Sequence, residues 1–244
     1  MVLVSEMSKK PVRSGDRVEI VYPNDLWELL NEKRAHAIQI MDLLKRYNIR
    51  SFIHGSVARG FISRKSDIDV VIPYILPSFS VELALREEFG INSFQKRELV
   101  QATPYHTPKA HISLDELTIV TFPLVGLRSQ EHEFYKFGGK LDLNGLQTEK
   151  RVAGVDKRLV LIEPSERGHF EWPIIGRESE VAKLVGVNIN IVEERVKILL
   201  RRNAIGRTGT YLKQVLRDNE IFEEVLKKIM DSDPVVRRRV RKGK

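Results

Sequence analysis

The chain has 244 residues, no cysteine, 42% hydrophobic and 30% charged residues, and a net charge of +8 from 41 Lys/Arg against 33 Asp/Glu. Such a chain is long enough for one large or two small hydrophobic cores, and its apolar content excludes disorder along its whole length. The absence of cysteine excludes disulfide frameworks and every thiolate chemistry, while a pI near 9.6 favours a polyanionic partner.

Taken in chain order, residues 1–23 carry little signal beyond a strand expected at Arg17–Tyr22. Met1–Lys10 lacks the basic and long apolar regions of a secretory signal. No apolar run approaches 18 residues, so no membrane span and a cytoplasmic location are expected. Asp25 and Glu28 form a capping-box pattern, and Trp27, Leu30, Ile38, Met41 and Leu44 recur at helical spacing, which predicts a helix over Leu26–Tyr47. Strands are expected at Ser51–His54 and at Ile68–Ile72, the second apolar on both faces. A helix follows at Val81–Phe89. The texture then turns to β, with strands expected at Glu98–Tyr105, Ala110–Leu114 and Thr118–Leu124. Gly138-Gly139 and Asn144-Gly145 read as turns. Beyond about residue 150 come two strands, Arg158–Ile162 and His169–Ile175, and helices at Glu178–Val185 and Ile191–Arg202. Tyr211–Asn219 and Ile221–Met230 extend the helical part. The expected division is 1–150 and 151–244.

One stretch carries chemistry: Gly55-Ser56-Val57-Ala58-Arg59-Gly60, five residues, then Ser66-Asp67-Ile68-Asp69-Val70. Its eight specified residues, each at a background of roughly 5–7%, would meet by chance about once in 10¹⁰ positions. A strand ending in Gly-Ser and entering a helical turn offers backbone N–H groups to a phosphate. Asp67 and Asp69 are two apart on a strand, so both leave one face, where their repulsion calls for a cation. Mg²⁺, which takes one or two carboxylates plus phosphate oxygens, meets that need.

Gly55, Ser56, Ala58, Arg59, Gly60, Ser66, Asp67 and Asp69 resemble the signature of the minimal nucleotidyltransferases of the DNA-polymerase-β-like superfamily. The resemblance covers about residues 26–125. It implies an α+β fold, a mixed sheet flanked by helices. It also implies transfer of a nucleoside monophosphate from an NTP, ATP foremost, to an acceptor hydroxyl. Gly55, Ser56, Arg59 and Ser66 are the expected nucleotide-binding residues, and Asp67 and Asp69 the expected Mg²⁺ ligands. The third carboxylate of that family is not plain here. Asp115, on the polar side of the Ala110–Asp115 stretch, competes with a plain turn role, and Glu98 is a weaker candidate.

Ala182, Gly186 and Val192 fit the crossing of a helix-turn-helix, with the strands before it as a wing. Residues 195–217 hold seven Lys/Arg and no acid, and the tail Val235–Lys244 holds six. The C-terminal part is therefore expected to be a smaller, mainly helical module able to meet DNA or RNA. The alternative function is a nucleic-acid-binding regulator that keeps a nucleotide fold with weak or no catalysis.

Overall fold

A computed structural model describes residues 10–90, 94–206 and 209–243. The stretch 1–9 and the basic residues Arg207 and Lys244 lie outside the described residues. The chain forms two compact units, each assembled from three stretches: 1–36, 53–67 and 133–208 in the first, 37–52, 68–132 and 209–244 in the second. The division at residue 150 stays a proposal about independent folding.

In the first unit, β1 (Val18–Val21), β10 (Gly168–Pro173), β9 (Val160–Ser165) and β8 (Gly154–Val155) make an antiparallel sheet in that order. Two short strands, β2 (Phe52–His54) and β7 (Lys140–Asp142), lie side by side. Residues 24–36 of α1 (Asn24–Arg46) belong here, with α2 (Ser56–Arg59), α4 (Ser129–Phe137, mostly), α5 (Leu143–Gln147), α6 (Glu178–Val185) and α7 (Ile189–Ile205). Asn144-Gly145, expected as a turn, lies inside α5, which Asp142 caps by accepting from Gly145 N at 2.8 Å. Gly186 ends α6 in the left-handed region. Ala182 and Val192 are buried in one apolar cluster with Leu161, Trp172, Ile174 and Val181.

The second unit has the sheet order β11 (Leu212–Val215), β4 (Lys96–Gln101), β5 (Lys109–Ser113), β6 (Thr118–Pro123), β3 (Ile68–Val71). Only β3–β6 is parallel among these pairs, so the sheet is mixed. One face is apolar: Val70, Val120, Phe122, Ala110, Ile112 and Leu99 are all fully buried. Phe122 meets Phe222 edge-on at 5.7 Å, which seats α8 (Phe222–Ser232) in this core. α3 (Ser78–Phe89) starts three residues before its expected first residue, because Ser78 N and Oγ donate to Glu223 at 2.7 and 2.6 Å.

One expectation fails here. Tyr211–Asn219 is not helical: Leu212–Val215 is an edge strand antiparallel to β4. Tyr211, Leu212, Val215 and Leu216 do recur at helical spacing, but pairing with an open sheet edge outweighs that weak pattern. Most of the basic tail is built into this unit. Pro234–Arg241 forms α9, capped by Asp233, with Val236, Arg239 and Val240 buried.

Candidate active site

The phosphate-loop candidate is a strand, a glycine and one helical turn. β2 ends at His54, and Gly55 takes φ 85° and ψ −137°, a backbone that side-chain-bearing residues rarely adopt. α2 then opens at Ser56, with Val57, Ala58 and Arg59 buried. The first amides of such a turn have no acceptor within it and can serve a ligand.

A second turn backs the first. Gly55 N donates to Gly139 O at 2.9 Å, and His54 Nδ1 lies 3.1 Å from the same oxygen and 3.2 Å from Tyr135 O. Arg59 is buried, and its guanidinium donates to Gly138 O. Burial pushes that guanidinium's pKa down, while the charge of Asp156 works the other way. No room is left for side chains here: a Cβ on Gly154 would come within 2.6 Å of Gly139 N. The Gly138-Gly139 pair was legible as a turn, but its partnership with Gly55 was not, because the pair is 84 residues away along the chain.

The other half of the motif begins with a tight loop. Ser66 Oγ accepts from Ser63 N at 2.9 Å, and Ser66 N donates to Ser63 O at 3.0 Å. Two residues that the sequence did not single out act on both halves. Lys33 Nζ donates to Ser66 O at 2.9 Å. Arg34 forks onto Val57 O, at 3.2 and 3.1 Å, and reaches Ala58 O at 3.3 Å. Both side chains are buried, and burial together with Arg151 lowers the Arg34 pKa to about 10.

Asp67 directly precedes β3 and Asp69 lies within it, half-buried. Asp69 is in register with Ile119 of β6, whose own partner on β5 is Ser113. The next row is Val71, Thr121, His111 and Glu98. The carboxylate that these rows hold besides Asp69 is Glu98, which lies on β4 and not on the neighbouring β6. His111 is held neutral by burial and by Lys109, its pKa pushed down to about 4. Burial raises the Glu98 pKa, but Lys96 at 2.7 Å and Lys213 at 3.2 Å outweigh it and hold the carboxyl below its usual range.

Asp115 lies beyond the end of β5, in the β5–β6 connection. Its Oδ1 accepts from Leu117 N at 2.7 Å and Thr118 N at 2.8 Å, a turn-forming role. Among the described residues, no group of three or more His, Cys, Asp or Glu is placed to hold a metal, and no helix is long and apolar enough to cross a membrane.

Residues 37–114 match the family described as nucleotidyltransferase domain. This segment carries the likeness to nucleotidyltransferases. It spans the whole Gly55–Asp69 motif and supports a general nucleotidyl-transfer function. No curated protein and no solved structure matches the chain.

Proposed function

We propose that this protein is a Mg²⁺-dependent nucleotidyltransferase of the cytoplasm. It moves a nucleoside monophosphate from an NTP, ATP foremost, to an acceptor hydroxyl and releases pyrophosphate. The observation that carries this is the coincidence of the matched segment with the strand–Gly55–Ser56 turn and with the two aspartates entering β3.

The donor set fits the metal. Mg²⁺ binds through one or two carboxylates and completes its shell with water and substrate phosphate oxygens. Asp67 and Asp69 would hold it, and its chemistry there is to neutralise charge on the triphosphate. Gly55 lets a phosphate approach the backbone, and the Ser56 hydroxyl adds a donor. Arg59, committed to Gly138 O, holds the turn that presents them. Ser66 shapes the loop before Asp67. The acceptor oxygen attacks the α-phosphorus in line with the leaving pyrophosphate. Asp115 is proposed as the third carboxylate, in competition with its turn role. The test is transfer of label from an α-labelled NTP to a component of a cell extract, with and without Mg²⁺.

A second proposal concerns the α6–α7 hairpin as a helix-turn-helix-like unit that contacts DNA or RNA. Its support is that Lys197, Arg201 and Arg202 on α7 are exposed. Arg195 is not part of this surface, since its guanidinium lies over the Phe134 ring at 4.9 Å. Phosphate contacts release counterions, so each one adds about one unit to the log–log salt slope. Replacing Arg201 and Arg202 by Ala is expected to lower that slope by about two. No binding of mixed-sequence DNA or RNA at ~50 mM salt would remove the proposal.

A further inference from the structure

We infer that adjacent Lys33 and Arg34 of α1 are positioning residues that hold the two halves of the nucleotide motif in their working arrangement, Arg34 through the α2 turn and Lys33 through the peptide before Asp67. The inference rests on the function proposed above.

Successive residues of a helix point about 100° apart. One short stretch of α1 can therefore reach two separate arms. Arg34 takes the carbonyls of Val57 and Ala58, in the turn whose first amides are proposed to meet a phosphate. Val152 N also donates to Ala58 O, at 3.2 Å, so this end of α2 is tied from two directions. Lys33 takes Ser66 O at 2.9 Å, one peptide before the first aspartate. The five residues between Gly60 and Ser66 are a loop, and on their own they set no fixed spacing between the arms. A rigid helix bonded to both arms does.

The charge of Lys33 points the same way. The residue is only 8% exposed, yet among the described residues it has no carboxylate within ion-pair distance. Its hydrogen bond among the described residues is to a carbonyl. Ordering a largely buried lysine with no counter-charge costs stability, and an apolar residue of like volume at such a place is often neutral or stabilising. Arg34 is suited to its own task because its planar guanidinium offers several N–H donors in a fixed fork to the two carbonyls, a geometry that the rotating ammonium of a lysine does not pre-organise.

The two variants should therefore fail differently. Lys33→Met is expected to keep or raise the melting temperature while kcat for label transfer falls between about tenfold and a hundredfold, the size of effect a misplacement near 1 Å produces. KM for the NTP should change little. Arg34→Lys keeps the charge but loses the fork, and is expected to raise KM for the NTP by about tenfold. Hydrogen exchange without nucleotide provides a readout independent of activity. Lys33→Met should speed exchange at residues 66–69, and Arg34→Lys at 57–60. If wild-type protein transfers no label, the proposed function fails, and the exchange pattern still decides the clamp. The inference is overturned if Lys33→Met and Arg34→Lys lower kcat, KM and melting temperature in parallel, or if neither changes exchange in its own arm.

Discussion

Asp69→Asn is expected to lower Mg²⁺-dependent label transfer by about 10²–10⁴-fold, since losing one metal-holding charge removes several kcal/mol of transition-state stabilisation. Asparagine keeps the shape and β3 keeps its buried Ile68, Val70 and Val71, so the fold should survive with little change in melting temperature. Asp67→Asn should behave alike, through looser Mg²⁺ dependence of NTP binding. Asp115→Asn is the sharper companion. Asparagine still has an Oδ1 to accept from Leu117 N and Thr118 N, so the turn stays. Lost activity there assigns Asp115 to catalysis, and wild-type activity returns it to the turn. Assays of the three variants against melting curves of the same preparations separate chemistry from folding.

Truncation after Asp233 is expected to cost the second unit roughly 3–6 kcal/mol. α9 buries Val236 completely and Val240 to 3% exposure, and each fully buried valine contributes about 1.5–3 kcal/mol. Arg239 is bonded as well: it donates to Tyr105 O at 3.1 Å, to Gly126 O at 3.0 Å and to Thr107 Oγ1. Its charge lies 3.8 Å from Glu131, a buried carboxylate that accepts from Thr107 Oγ1 at 2.6 Å. Burial raises the Glu131 pKa, but Thr107, Lys109 and the Arg128 and Thr107 amides outweigh it and hold the carboxyl down. Losing that much from a stability of about 5–15 kcal/mol leaves a marginal unit. Urea midpoints of the full and shortened chains measure it. An unchanged midpoint would show α9 to be dispensable.

The parts of the fold that were legible share a feature: their signal is local. α1, α6 and α7 announce themselves through caps and apolar spacing, and the Gly55–Asp69 motif through its own spacing. What stayed hidden depends on distant partners. β11 exists because β4 offers an edge more than 110 residues earlier, so Tyr211–Asn219 was expected only to extend the helical part. α9 looked like a charge run because its two buried valines are few beside its arginines. α4 was missed because Glu131 faces inward, where an apolar residue would have marked the helix. Lys33 and Arg34 drew no reading from the sequence, and only the positions of Ser66 O, Val57 O and Ala58 O give them a task. Asp115 shows the reverse case: a residue type suited to catalysis, placed where a turn also needs it.

The most direct measurement follows the fate of two labels. NTP labelled at the α-phosphate and NTP labelled at the γ-phosphate are each incubated with Mg²⁺, the wild-type protein and a cell extract. The account predicts that α-label enters an acceptor, that γ-label leaves as pyrophosphate, and that both depend on Mg²⁺ and on Asp69. γ-Label in the acceptor, or α-label transfer equal in wild type and Asp69→Asn, would contradict it.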